Sequence, residues 1–176
     1  GFEYEDPNGT EQDGSLVAYG GIVEVNIGSG VKQIGERAFA KTESIKKVTM
    51  GDAVEQVGER AFYQCTSLAD VTFGSNVKEI GDRAFYGCTS LTSAEMPASV
   101  ARIGNYAFYK CSALARVRFG NTESIGDYAF FGCTSLRSLQ LPSSLLSLGN
   151  QAFRGCSGLE SVTLPGSVSE IGAHAF

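Results

Sequence analysis

The chain has 176 residues, 43% of them hydrophobic, with 14 Lys+Arg against 19 Asp+Glu, one His and no Trp. That apolar fraction suffices for a core in one domain or a short repeat array, and a net charge of −5 without a basic run offers no footprint for nucleic acid or an anionic membrane. The lone His174 cannot supply a His-based metal cluster or a Ser/His/Asp triad, and no apolar stretch of about 18 residues is present to span a bilayer.

Residues 1–21 depart from the pattern of the remaining chain. Phe2-Glu3-Tyr4 and Leu16-Val17-Ala18-Tyr19 are short apolar or alternating runs separated by the turn signals Pro7, Asn8-Gly9 and Asp13-Gly14, which predicts a capping hairpin. Asn8-Gly9-Thr10 also has glycosylation spacing, but a turn accounts for it. The segment has neither the basic start nor the apolar middle of an export signal.

From residue 22 onward the chain repeats. The segment Ile34-Gly35-Glu36-Arg37-Ala38-Phe39 returns at Val57–Phe62, Ile80–Phe85, Ile103–Phe108, Ile125–Phe130, Leu148–Phe153 and Ile171–Phe176, with the phenylalanines 23, 23, 23, 22, 23 and 23 residues apart. A fixed period of this length is the mark of a stacked coil, so 22–176 is predicted to be a solenoid of about seven coils. The inward positions begin at Ile22, Val25, Ile27, Val31 and Ile34. Within each coil the alternation of Leu68-x-x-Val71-x-Phe73 predicts a strand, and its stacked copies a parallel sheet with neighbours about 4.8 Å apart. Ile80, Ala84, Phe85 and Cys88 have the spacing of one helical face, so a short helical or 3₁₀ segment is expected opposite the sheet. Pro97, Pro142 and Pro165, or Gly51, Gly74 and Gly120, end the strands. One coil lacks a residue between Phe119 and Ile125, leaving no counterpart of Val77, Val100, Leu145 or Val168, and a local irregularity is expected over 119–125. The chain stops in mid-repeat at Phe176, an open end that predicts truncation of a longer protein, with end-to-end packing of copies as the alternative.

The combination Leu-x-x-Val-x-Phe with Ile-Gly-x-x-Ala-Phe-x-x-Cys-x-x-Leu resembles the BspA-like subclass of bacterial leucine-rich repeats over about residues 20–176. The resemblance implies a right-handed leucine-rich-repeat coil and a surface-exposed or secreted protein of a host-associated microbe. It further implies a non-enzymatic adhesion or binding module with a protein or glycoprotein ligand, host matrix among the candidates. The alternative is a spacer that carries another module of a larger surface protein.

Cys65, Cys88, Cys111, Cys133 and Cys156 share one slot with Thr42, which favours buried structural thiols over disulfides or a metal site. The phenylalanine column is core, and Tyr63, Tyr86, Tyr109 and Phe131, each following one of its members, form a second, partly exposed stripe. The outward strand residues make the candidate partner surface: Lys47 and Thr49, Asp70 and Thr72, Ser93 and Glu95, Arg116 and Arg118, Ser138 and Gln140, Ser161 and Thr163, with Arg137 beside them. Asp82, Asp127 and Glu170 are the carboxylates an enzyme would have to recruit, and they stand at ordinary turn positions. No Gly-Lys-Ser/Thr phosphate loop is present, and no enzyme activity, cofactor or metal is expected.

Overall fold

The computed structural model describes residues 21–176; the capping hairpin expected over 1–21 lies outside the described residues apart from Gly21. Each coil carries two strands rather than one. In chain order these are β1 (Glu24–Ile27), β2 (Gln33–Ile34), β3 (Lys47–Met50), β4 (Gln56–Val57), β5 (Asp70–Thr72), β6 (Glu79–Ile80) and β7 (Ser93–Glu95). Next come β8 (Arg102–Ile103), β9 (Arg116–Arg118), β10 (Ser124–Ile125), β11 (Leu139–Gln140), β12 (Ser147–Leu148), β13 (Val162–Thr163) and β14 (Glu170–Ile171). The even-numbered strands form one continuous parallel sheet of seven. This second sheet replaces part of the helical face that the residue spacing suggested.

The rest of that face is a chain of turns, with no helix among the described residues. Alternate amides are used in two ways. Ala61, Tyr63 and Cys65 donate back within the coil to Gly58, Arg60 and Phe62, whereas Arg60, Phe62 and Gln64 donate to Asp82, Ala84 and Tyr86 of the next coil. Coil-to-coil bonding requires every second amide to point along the stack, which a helix forbids. Positive φ at Arg60 (53°) and Gln64 (55°), and at their counterparts Arg83 and Gly87, supplies the rotation.

The longer strands form the expected parallel sheet, but in three pieces: β1–β3–β5, β7–β9 and β11–β13. Both interruptions coincide with a proline at the end of the later strand, Pro97 after β7 and Pro142 after β11. Gly51 donates its amide to Ile27, a bond that proline in this slot cannot make. Yet β13, which is also followed by a proline, Pro165, stays paired with β11, so the proline alone does not break the ladder.

Between the sheets lies a core of ladders. Phe39, Phe62, Phe85, Phe108, Phe130 and Phe153 stack with centroids 5.1–5.3 Å apart and planes within 8°. Ile45, Leu68, Leu91, Leu114 and Leu136 are fully buried alongside, as are Val54, Val77, Val100 and Leu145. The glycine after each β-residue pair permits this closeness: a Cβ on Gly81 would sit 2.7 Å from the Val57 carbonyl oxygen. The ends are less covered. Ile22 is 58% and Val31 40% exposed, contrary to the inward placement expected of them, because among the described residues the first coil has a neighbour on one side only. At the other end Ile171 and Phe176 are 49% and 46% exposed.

The shortened coil keeps its register. Ser124 and Ile125 pair with Arg102 and Ile103 on one side and Ser147 and Leu148 on the other, and the irregularity is confined to bends at Gly120 and Asn121. Thr122, fully buried, does two tasks: its hydroxyl donates to the Val100 carbonyl as Ser99 does to Val77, and its own carbonyl accepts from Ser144. A threonine thus merges the serine and aliphatic slots of the longer coils.

Candidate functional site

The strand face presents the predicted row. Lys47, Asp70, Thr72, Glu95, Arg116, Arg118, Arg137 and Gln140 are exposed, and Thr49 is half-buried. Period-two alternation causes this, since Val48, Val71 and Ala94 between them point into the core. Register sets Lys47 beside Asp70, Thr49 beside Thr72, and Glu95 beside Arg118. Five of the predicted residues converge: Glu95, Arg116, Arg118, Ser138 and Gln140, with Val117, line a shallow depression of about 290 Å³. Lys47, Thr49, Asp70 and Thr72 lie on earlier coils of the same side and do not join it, and Arg137 flanks it through Ser138.

Tyr63, Tyr86 and Tyr109 lie in the turn segment instead, and all three are half-buried. Their rings stack on one another at 4.9 and 4.6 Å, and Tyr109 stacks on Phe131 at 5.0 Å. Burial and the neighbouring hydroxyls of Tyr109 and Tyr63 raise the Tyr86 phenol, against a smaller opposite pull from Arg83. Ring faces so engaged are not available to a ligand; the stripe offers edges and hydroxyls. Sequence reasoning missed a second column beside it. Tyr106 stacks on Tyr128 at 4.7 Å, Arg83 lies 4.9 Å over the Tyr106 ring, and Gln151 donates to the Tyr128 hydroxyl at 2.6 Å. Tyrosines immediately before two successive Ala-Phe pairs, Ala107-Phe108 and Ala129-Phe130, were the available signal.

Two of the three carboxylates weighed for catalysis, Asp82 and Asp127, hold backbone amides of the next coil, as Asn150 does in the same slot. Asp82 Oδ1 accepts from the Asn105 amide at 2.9 Å, Asp127 Oδ1 from Asn150 at 2.7 Å, and Asn150 Oδ1 from Ala173 at 2.8 Å. Ion pairs cross the same side: Lys78 with Glu55 at 2.6 Å, and Arg102 with both Glu79 and Asp82. A second depression of about 320 Å³ lies over β8, β10, β12 and β14, edged by Arg102, Asn105, Asp127 and Asn150. No group of three or more His, Cys, Asp or Glu among the described residues is arranged to hold a metal ion.

The cysteines are free and buried. Each donates its S–H to a phenylalanine carbonyl of the preceding coil, Cys65 to Phe39 at 3.0 Å through Cys156 to Phe130 at 3.2 Å. Burial pushes the Cys65 thiol up to about 12 and Cys156 to about 11, with Cys88, Cys111 and Cys133 also raised well above the ordinary range. Groups held so strongly as thiols are poor nucleophiles and metal ligands.

The recurring ladders have a counterpart in a family model described as BspA type Leucine rich repeat region, which matches residues 18–123 and 103–176 in 6 copies. The chain belongs to the BspA-type leucine-rich-repeat family. Among solved structures, a leucine rich cell surface protein from Faecalibacterium prausnitzii is 26% identical with a TM-score of 0.60, over 87% of this chain and 32% of that one. The T. pallidum leucine rich repeat protein is 27% identical, TM-score 0.59, over 79% of this chain and 78% of that one. A leucine-rich repeat protein from Eubacterium ventriosum shares the fold at 21% identity, TM-score 0.67, over 84% of this chain and 45% of that one. The chain therefore spans about a third of the F. prausnitzii protein. No match was found among curated proteins. No helix of the described BspA-type repeats is long and apolar enough to cross a membrane.

Proposed function

We propose that this BspA-type repeat region is a non-enzymatic protein-binding or adhesion module of a bacterial surface or secreted protein, and that it binds through the strand face. The reading is carried by the convergence of Glu95, Arg116, Arg118 and Gln140 on one depression of the strand face, above the stacked phenylalanine core. Rigid scaffolds lower the ordering cost of binding, and mixed charge at fixed spacing gives selectivity. Surface location is supported by the F. prausnitzii relative, itself a cell surface protein.

The test is adsorption of the whole chain to immobilised host matrix proteins and glycoproteins, comparing wild type with Thr72→Arg and Gln140→Arg, which block the face while leaving the core intact. Saturable binding that either substitution reduces is the expected result. Binding to none of the panel, or binding indifferent to both substitutions, would sink the proposal.

A further inference from the structure

The backbone ladder of the strand face is interrupted between β9 and β11, as it is between β5 and β7. No backbone hydrogen bond joins β9 to β11, although β7–β9 and β11–β13 are paired on either side. The depression of about 290 Å³ lies over this interruption, with Arg116, Val117 and Arg118 on one wall and Ser138 and Gln140 on the other. Val117 is half-buried there, whereas its counterparts Val48 and Val71 are buried.

Charge is unbalanced at the same place. Arg37, Arg60, Arg83 and Arg102 each have a carboxylate within 4.0 Å, and Arg154 bonds Gln151. The side chains of Arg116, Arg118 and Arg137 have no ion pair or hydrogen bond among the described residues; the first two line this depression and Arg137 directly precedes Ser138 on its wall. In a chain of net charge −5 the unmatched guanidinium groups are thus gathered where the sheet also leaves backbone groups unpaired.

We propose that the depression over β9 and β11 binds an acidic peptide segment of the partner protein. Carboxylates on one edge of an extended peptide meet the forks of Arg116 and Arg118, and peptide N–H and C=O groups meet the side chains of Ser138 and Gln140. Glu95, in register with Arg118, repels a continuous polyanion but tolerates spaced carboxylates, which favours a peptide over an acidic polysaccharide. The inference rests on the strand-face reading above and names the chemistry of its ligand.

The probes are an N-acetylated, C-amidated Glu-Thr alternating octapeptide, its Gln-Thr analogue and an oligogalacturonate of matched charge. Binding to the full chain is followed by fluorescence anisotropy and by the NMR resonances of the arginine Nε–H groups. The Glu peptide is expected to bind, to shift the Arg116 and Arg118 resonances, and to bind about tenfold more weakly to the R116Q/R118Q double variant. Arg154→Gln leaves binding unchanged and Glu95→Gln tightens it. Absence of binding by the Glu peptide, equal binding by its Gln analogue, equal or tighter binding by the oligogalacturonate, or full affinity in the double variant would each overturn the proposal. A matrix protein whose binding survives R116Q/R118Q but is lost with Thr72→Arg would remove the arginine site and leave the strand-face reading standing.

Discussion

Asn105 Oδ1 accepts the backbone amide of Asp127, one coil onward, at 2.8 Å. Its own amide is in turn held by Asp82, so one residue ties three coils. Such side-chain bonds act as helix caps do, by occupying an amide that the turn leaves without a backbone acceptor. Asn105→Ala should lower unfolding free energy by about 1 kcal/mol in a denaturant titration, and Asn105→Asp by less, because Asp82 and Asp127 already occupy that slot in adjacent coils. Equal losses from the two variants would mean the side-chain oxygen is not the active group.

Two glycines of the same repeat slot differ in their surroundings. A Cβ on Gly35 meets nothing within 4 Å, whereas one on Gly81 meets the Val57 carbonyl oxygen at 2.7 Å and the Gly58 carbonyl carbon at 2.9 Å. Gly35→Ala should therefore be neutral within about 0.5 kcal/mol. Gly81→Ala should cost about 1–3 kcal/mol, since backbone atoms cannot swing aside. Thermal unfolding of the two variants checks the order, and a reversed order would contradict the stacking described.

The thiol column predicts chemical silence. With Cys65 pushed up to about 12 and Cys156 to about 11, all five groups stay protonated at pH 8 and shielded. A disulfide-exchange colour reagent should report almost no thiol in the native protein and five after unfolding in denaturant. Rapid native reaction of even one thiol would show that its coil opens. Cys111→Thr should be tolerated better than Cys111→Val, because Thr42 shows that a hydroxyl fits the slot and valine removes one of the two donors to the Phe85 carbonyl, leaving only the Cys88 amide.

Acid should weaken the stack on the strand-turn side. The Ser75 amide holds Asp52 below the usual carboxylate range, and Lys78 does the same for Glu55. A depressed folded-state value means that the stabilisation is complete above the unfolded value and is lost as pH falls through the folded one. Stability should be flat above about pH 5 and decline below about pH 4. In Asp52→Asn and Glu55→Gln that decline should be shallower, measured as denaturation midpoint against pH; an unchanged slope in both would assign the acid sensitivity elsewhere.

Period, phenylalanine column, cysteine slot and outward strand row were legible because each depends on one residue type recurring at one position. The second sheet was not, since two residues such as Glu79 and Ile80 are too short to show alternation. The Asn/Asp ladder was hidden by its mixed composition, its slot holding Glu36, Glu59, Asp82, Asn105, Asp127, Asn150 and Ala173 in succession. Pro97, Pro142 and Pro165 read correctly as strand ends, but the interruptions of the ladder do not follow from them, since β11–β13 is paired despite Pro165. Tyr106 and Tyr128 escaped notice because the same column holds Arg37, Arg60, Arg83, Gln151 and His174, with no shared chemistry beyond a left-handed backbone.

Both ladders, amide to carbonyl and side chain to amide, run along the stacking direction rather than across it. A pull applied between the first and last coils therefore loads one coil's bonds at a time, as a zipper is loaded, instead of shearing a whole sheet at once. Each coil that lets go exchanges a rise of about 5 Å for about 75 Å of extended chain. Under tension the region would lengthen in discrete steps at modest force, absorbing a sudden load as a fall-arrest lanyard does.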